Sequence, residues 1–429
     1  MKPLRAAGLL GLGKGGQVVF TLLALALAAR TLGVEAFGTL VLIHALIVAI
    51  TKTASFQTWQ ALIHYGAKAQ EKSDEPHLKR IIQFSALIDI LTAFFAFAIV
   101  WVVSILAMNL VGLDESLSET LRLYGSVILF MVLNGAPSGI LQLYDRFDRI
   151  AWHTAIAPFI RGLGCIYLFL TQASMIEFLV LWYISEMIAA LVLITMALCT
   201  LKEKNVLSGL LNPAPSLLNP EKGIWRYVIG TQAASTLDLS GTHLPVLFVG
   251  GVLGPSAAGL FRIAQEFASV LLKSGAKLFG RAIYSDLARL SAQNDIAARR
   301  HMMGRTAFVI GALAIAVFAI FVLFGKQAII LSAGEDFIGA YETMLWLCFA
   351  GVIALTGFAL EPMLISAGHI RQTVIARTIA TVIFIPILYL LLTHSGIIGA
   401  GIAMTIYMVL ITVFMLIAGR KLLNKTDPQ

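Results

Sequence analysis

Apolar stretches of about 20 residues, the length a helix needs to cross a ~30 Å hydrocarbon core, follow one another along this whole chain with only short polar breaks between them. Inside lipid every backbone polar group must be satisfied within the protein, so such stretches are helices or the strands of a closed barrel. The alternation of a barrel strand is absent, which leaves helices. Composition agrees, since 59% of the 429 residues are hydrophobic and 13% are charged, with a mean hydropathy of +0.88 that no ordinary soluble domain reaches. The expected fold is an all-α integral membrane protein with twelve transmembrane helices, at residues 7–29, 36–66, 81–110, 120–143, 150–171, 176–201, 224–249, 256–288, 304–325, 340–366, 371–393 and 397–419. No small-residue cleavage site follows the first stretch, which therefore reads as a permanent helix and not a signal peptide.

The net charge of +8 follows the membrane. Lysines and arginines gather at alternate breaks, at Lys2 and Arg5, Lys68 to Arg80, Arg146 and Arg149, Lys202 to Arg226, Arg281 to Arg305, Arg371 and Arg377, and Arg420 to Lys425. The intervening breaks are mostly neutral or acidic, as at Asp114, Glu115, Glu119, Glu335 and Asp336. By the positive-inside rule both termini lie in the cytoplasm. This pattern makes the lipid bilayer the partner of the charge, and no nucleic acid is expected. The cysteines Cys165, Cys199 and Cys348 are scattered among apolar helices and form neither a disulfide framework nor a zinc site. The histidines lack metal spacing, no nucleophile motif is present and no cofactor is expected, so the chain does not read as an enzyme.

The second half repeats the first without gaps at an offset of 221 residues. Leu32-Gly33 falls on Leu253-Gly254, Lys52 on Lys273, Ala61 on Ala282, Lys68 on Arg289, and Lys79-Arg80 on Arg300-His301. Six spans, an even number, separate equivalent points, so the halves enter the membrane with the same orientation, as parallel repeats. The expected domains are an N-terminal six-helix lobe over 1–201, a cytoplasmic linker over 202–223 and a C-terminal six-helix lobe over 224–429. The linker carries Asn212-Pro213 and Asn219-Pro220, which interrupt helix, and leucines that either lie on the membrane interface or belong to a solvated connection. Spans two and eight exceed the bilayer thickness and are expected to tilt or project.

Charges inside spans are the sequence signal for function. A cation near mid-bilayer costs roughly 2.5–3.5 kcal/mol on insertion scales and normally faces a bundle interior or wet cavity. Lys52 and Lys273 are such cations at repeat-equivalent positions, and are expected to face one another across the lobe interface. On span eight Arg262, Glu266 and Lys273 share one face at helical spacing, with Ser269 on the same stripe. An Arg262 to Glu266 bridge would serve only to bury that helix, leaving Lys273 as the extra charge. Lys14, in Gly8-Leu9-Leu10-Gly11-Leu12-Gly13-Lys14-Gly15, comes near a phosphate-binding loop, but Gly15 replaces the required hydroxyl and no strand precedes it. Lys14 either snorkels to the interface or faces the cavity. Asp89, Glu186, Asp238, Glu266 and Glu361 are the candidates for proton or sodium coupling, and each is equally a candidate structural partner for Lys14, Lys52, Arg161, Arg262 or Lys273.

The span pattern, the segment Ala29-Arg30-Thr31-Leu32-Gly33 with Phe37-Gly38, and Phe56-Gln57-Thr58-Trp59-Gln60-Ala61 resemble Wzx-type polysaccharide-biosynthesis flippases. These belong to the multidrug/oligosaccharidyl-lipid/polysaccharide (MOP) exporter superfamily, with the multidrug and toxin extruders (MATE) and the lipid II flippases. The resemblance implies a MATE-like V of two six-helix lobes and a cationic cavity for the diphosphate of an undecaprenyl-linked oligosaccharide. Carried onto this chain, that role falls to Lys52, Arg262 and Lys273, with Lys14 beside them. It also implies a bacterial inner-membrane location, alternating access, and polysaccharide polymerase and glycosyltransferases as partners. Two other readings are a cation-coupled multidrug extruder, whose cavity should present carboxylates, and a non-transporting scaffold for polysaccharide-assembly enzymes, which large soluble loops would favour.

Overall fold

A computed structural model describes residues 2–210, 217–270, 296–358, 360–366 and 370–423. Every regular element among them is helical: α1 (Lys2–Ala54), α2 (Thr58–Glu71), α3 (Glu75–Leu106), α4 (Ser118–Gly125), α5 (Ile128–Val132), α6 (Gly135–Leu143), α7 (Phe147–Leu170), α8 (Met175–Glu203), α9 (Ile224–Leu237), α10 (Leu244–Leu253), α11 (255–270), α12 (Ile296–Ser332), α13 (Ala340–Thr356), α14 (Leu360–Ser366) and α15 (Ile370–Leu423). Six helices are long and apolar enough to cross a membrane among the described residues, or up to eight when each bent pair counts as one span. The chain is thus a multi-pass membrane protein.

Local chemistry sets the helix ends. Asp74 accepts from the His77 N–H at the start of α3 (3.0 Å), and Ser174 with Glu177 forms a reciprocal capping box on α8, which satisfies N–H groups the helix leaves open. α1 is two helical arms joined at Gly33, whose φ of 71° and ψ of 178° suit glycine alone. Gly254, its repeat equivalent, holds φ 85° and ψ 176° between α10 and α11. The two residues aligned by sequence thus turn the backbone in the same way. Gly396 divides α15 likewise, with φ 58°.

Four spans expected as unbroken helices, the second, fourth, seventh and tenth, are interrupted. In the second, residues 55–57 are not helical and separate α1 from α2. Leading into the break, Thr51, Thr53 and Ser55 donate their hydroxyls to Ile47 O, Ala49 O and Thr51 O at 2.6–2.8 Å, a back-bonding that competes with the helical ladder. In the fourth, α4 and the pair α5–α6 meet at 41°. Pro158 and Pro386, by contrast, lie within α7 and α15, which are assigned as helix through them.

Contacts divide the molecule into two compact units, Met1–Leu239 and Ser240–Gln429. α9, the first helix after the connecting segment, packs by its contacts with the first unit. Leu62, Leu78, Ile81, Ile82, Ile140 and Leu201 form an apolar core in that unit. Val206 is buried against them and Leu207 and Leu210 pack partly onto them, while Gln83 Nε2 donates to Leu210 O at 2.6 Å. The start of the connecting segment is therefore docked on protein. In the second unit Leu360, Met363, Leu364, Ala376 and Met415 form a comparable cluster. Large apolar side chains that stay exposed, such as Leu91, Phe94, Phe95, Val102 and Ile105 on α3, mark faces for lipid.

Gly135 shows how closely the interrupted spans approach. A Cβ there would lie 2.3 Å from Thr58 Oγ1 and 2.7 Å from Asp89 Oδ2. Gly135→Ala should therefore cost about 1–3 kcal/mol of stability as overpacking, read as a lower unfolding midpoint in detergent. Gly16→Ala, with nothing within 4 Å of the added carbon, serves as the control, and equal midpoints for the two variants would refute the close approach.

Candidate functional site

The break at 55–57 is the centre of the first unit's polar chemistry. Lys52 lies in the last turn of α1, half-buried, where the negative end of the helix dipole favours a cation. Its carbonyl and that of Thr53 lose their helical partners at the break. Both are taken by Gln232 Nε2 of α9, at 2.7 and 3.1 Å. Gln57, inside the break, donates from Nε2 to Ser235 Oγ (3.1 Å) and accepts from Trp59 Nε1 (2.7 Å). The interruption is thus stitched to α9 by side-chain amides.

Asp89 secures the other side. Buried on α3, it accepts from Thr58 Oγ1 at the first residue of α2 and from the Ala136 backbone N–H at the second residue of α6, each at 2.6 Å. One carboxylate therefore holds the starts of two helices whose N-terminal dipoles favour negative charge. Its hydrogen-bond partners are a hydroxyl and a backbone amide, not a cation.

The remaining charges sort by partner. Glu186 pairs with Arg161 between α8 and α7, and Glu361 with Arg377 between α14 and α15 at 2.7 Å. Arg161 Nε also donates to Ser185 Oγ (2.7 Å) and its guanidinium lies over the Trp182 ring. On α11, Arg262 pairs with Glu266 at 3.1 Å and donates to Gln265 Oε1 at 3.2 Å, while Ser269 donates to Glu266 O at 2.8 Å. The described part of the polar stripe, Arg262, Glu266 and Ser269, is a connected network. Lys52 differs: among the described residues no carboxylate pairs with its ammonium. Lys273 lies outside the described residues, and the side chains of Lys14 and Asp238 do too.

Gln232, Gln57 and Thr58 were not singled out by charge, yet they define the break. Their signal in the sequence is the run from Thr51 to Gln60, which is rich in hydroxyl and amide residues within an otherwise apolar span. Hydropathy averages it away.

The fold identifies the class. The structure resembles an inward-facing multidrug resistance MATE transporter of the MOP superfamily, with a TM-score of 0.79 over 95% of this chain and 96% of that one at 14% identity. It also resembles lipid II flippase MurJ in an inward closed conformation, at 0.73 over 96% and 87% with 13% identity. A MOP transporter from Pyrococcus furiosus, described by a reversed polarity of its binding pocket, matches at 0.66 over 99% and 96% with 13% identity. The chain therefore has the all-α, MATE-like fold of MOP-superfamily transporters. Residues 27–342 match the family model described as polysaccharide biosynthesis protein, and the chain belongs to that family. Inner membrane protein YghQ of Escherichia coli K12 is 28% identical over 342 residues, which are 79% of this chain and 94% of that protein.

Gln232→Ala leaves two carbonyls in a water-poor setting without their donor, at about 1–3 kcal/mol. A lowered unfolding midpoint and faster amide exchange around residues 55–58 are the expected results. An unchanged midpoint with unchanged exchange would mean that the stitch contributes nothing.

Proposed function

We propose that this protein is a flippase that moves an undecaprenyl-diphosphate-linked oligosaccharide from the cytoplasmic to the periplasmic leaflet by alternating access, for surface polysaccharide such as O-antigen, capsule or exopolysaccharide. The reading places it in the bacterial inner membrane with both termini cytoplasmic, as twelve helices in two six-helix lobes, 1–201 and 224–429. Lys52 and Lys273 neutralise the diphosphate, Arg262 and Lys14 assist, and the polyprenyl chain stays in lipid. Polysaccharide polymerase and glycosyltransferases are the partners that would consume and supply the substrate.

The observation that carries this reading is the ammonium of Lys52, which no carboxylate pairs with among the described residues, in a membrane-spanning segment. An unpaired cation in a low-dielectric setting strongly favours an anionic ligand or a wet cavity. Membership of the polysaccharide biosynthesis family supports a glycan as cargo, and the likeness to a lipid II flippase fits a lipid-linked one. A multidrug extruder of cations is less well supported. Of the carboxylates singled out, Glu186, Glu266 and Glu361 each face an arginine, and Asp89 is occupied by Thr58 and Ala136. Asp89, which pairs with no cation among the described residues, and Asp238, whose side chain lies outside them, stay in the reading as the ion-coupling candidates.

Replacing Lys52 and Lys273 together by alanine should abolish surface polysaccharide while leaving the protein at normal level in the membrane. Wild-type amounts of polysaccharide from that double variant would rule out the cationic site.

A further inference from the structure

Sixteen residues beyond Lys52, at the end of α2 that the charge distribution assigns to the cytoplasm, the first unit holds a second cluster with its own chemistry. Tyr65, Gly223, Arg226, Tyr227, Gly230 and Thr231 line an open groove of about 430 Å³ between α2 and the start of α9. That volume is within the ~300–1,000 Å³ of small-molecule sites. His64 stacks on Tyr227 with ring centres 4.9 Å apart and planes 14° from parallel, and Tyr65 meets Tyr227 edge to face at 5.8 Å. Lys68 Nζ lies 5.5 Å from the Tyr65 ring centre and 3.1 Å from His64 Nε2.

Three features separate this cluster from ordinary helix packing. Its cations, Lys68 and Arg226, are both exposed, and no carboxylate pairs with either among the described residues. Glu221, close by, is engaged by His77 Nε2 at 3.0 Å. Neither phenol hydroxyl has a hydrogen-bond partner among the described residues, so the tyrosines present polar tips beside an accessible aromatic surface. Finally, the groove and Lys52 are served by one common element, α9. α9 flanks Tyr65 with Arg226 and Tyr227 and, further along, reaches the Lys52 carbonyl with Gln232 and Gln57 with Ser235.

We propose that this groove is a loading platform that binds a glycosyl diphosphate, sugar against Tyr65 and Tyr227 and phosphates on Lys68 and Arg226, before the headgroup passes along α2 and α9 to Lys52. It rests on the flippase reading above and adds the entry site. Aromatic faces stack on the apolar C–H face of a sugar ring, and flanking cations make charge-assisted hydrogen bonds to phosphate oxygens. The joint presence of both selects a phosphorylated glycan over a free sugar or a bare phosphate.

The test is photo-crosslinking of the full-length protein in cells that make radiolabelled lipid-linked oligosaccharide, with p-benzoylphenylalanine placed at Gly230 or at Thr53. Gly230 lines the groove and has nothing within 4 Å of an added Cβ, and Thr53 is exposed beside Lys52. Labelled lipid should be captured at both positions. Lys68→Ala/Arg226→Ala should lower capture at Gly230 by about tenfold or more, the loss of roughly 1.4 kcal/mol or more of binding. Lys68→Arg/Arg226→Lys, which keeps both charges, should restore it and exclude misfolding as the cause. In Lys52→Ala capture at Gly230 should persist, because the platform precedes Lys52. Capture at Thr53 without any at Gly230, or capture at Gly230 unaffected by the double alanine variant, overturns the platform and leaves the flippase reading standing. Failure at both positions overturns both.

Discussion

A membrane-spanning helix can be interrupted only where other protein groups replace the hydrogen bonds that the interruption releases. At residues 55–57 that replacement comes from Gln232, whose single amide nitrogen serves the carbonyls of both Lys52 and Thr53, and from Asp89, which receives the first residue of α2 through Thr58. Much of the first unit's organisation follows from it. The break ends α1 in the turn that carries Lys52, sets the start of α2 at Thr58, and ties α9 to the helices before the connecting segment. It also accounts for Gly135, since the same carboxylate that holds α2 accepts from Ala136 at the start of α6 and leaves no room for a side chain between them.

Pairing then decides what each intramembrane charge can do. A buried arginine facing a carboxylate gives up much of its field to its partner, and breaking such a pair costs more than the pair contributes. Arg161 with Glu186, Arg262 with Glu266 and Arg377 with Glu361 are half-buried pairs of this type, so each arginine already faces a compensating charge. Among the described residues no carboxylate pairs with the Lys52 ammonium, and its position at a helix C-terminus offsets part of the cost of placing it there.

Much of this architecture was legible in the sequence. The helical class, the multi-pass arrangement and the family were readable because length and apolarity of spans are one-dimensional properties. The i, i+4 relation of Arg262 and Glu266 was equally visible, since helical spacing fixes it. What escaped was the interruption of spans two, four, seven and ten, of which the second is the clearest case. Hydropathy over some twenty residues hardly registers Thr51, Thr53, Ser55, Gln57 and Thr58 among aliphatic neighbours, and Gln232 lies 180 residues from the carbonyl it serves. Likewise the pairing of Glu186 with Arg161 and of Glu361 with Arg377 joins different helices, which no spacing rule supplies. The sequence marked these groups as charges to be explained, and three-dimensional contacts explained them.

The repeat acquires a sharper meaning from backbone conformation. Apolar sequence inflates chance identity, so aligned leucines and alanines weigh little. Gly33 and Gly254, however, both adopt a positive φ with ψ near 180°, a region nearly closed to other residues. Coincidence of an unusual conformation at aligned positions is far harder to obtain by chance than coincidence of composition, and it ties the two halves to a common backbone plan. On that shared plan the side chains have diverged. In the first unit no carboxylate pairs with Lys52 among the described residues, whereas the corresponding stretch of the second opens with an arginine matched to Glu266.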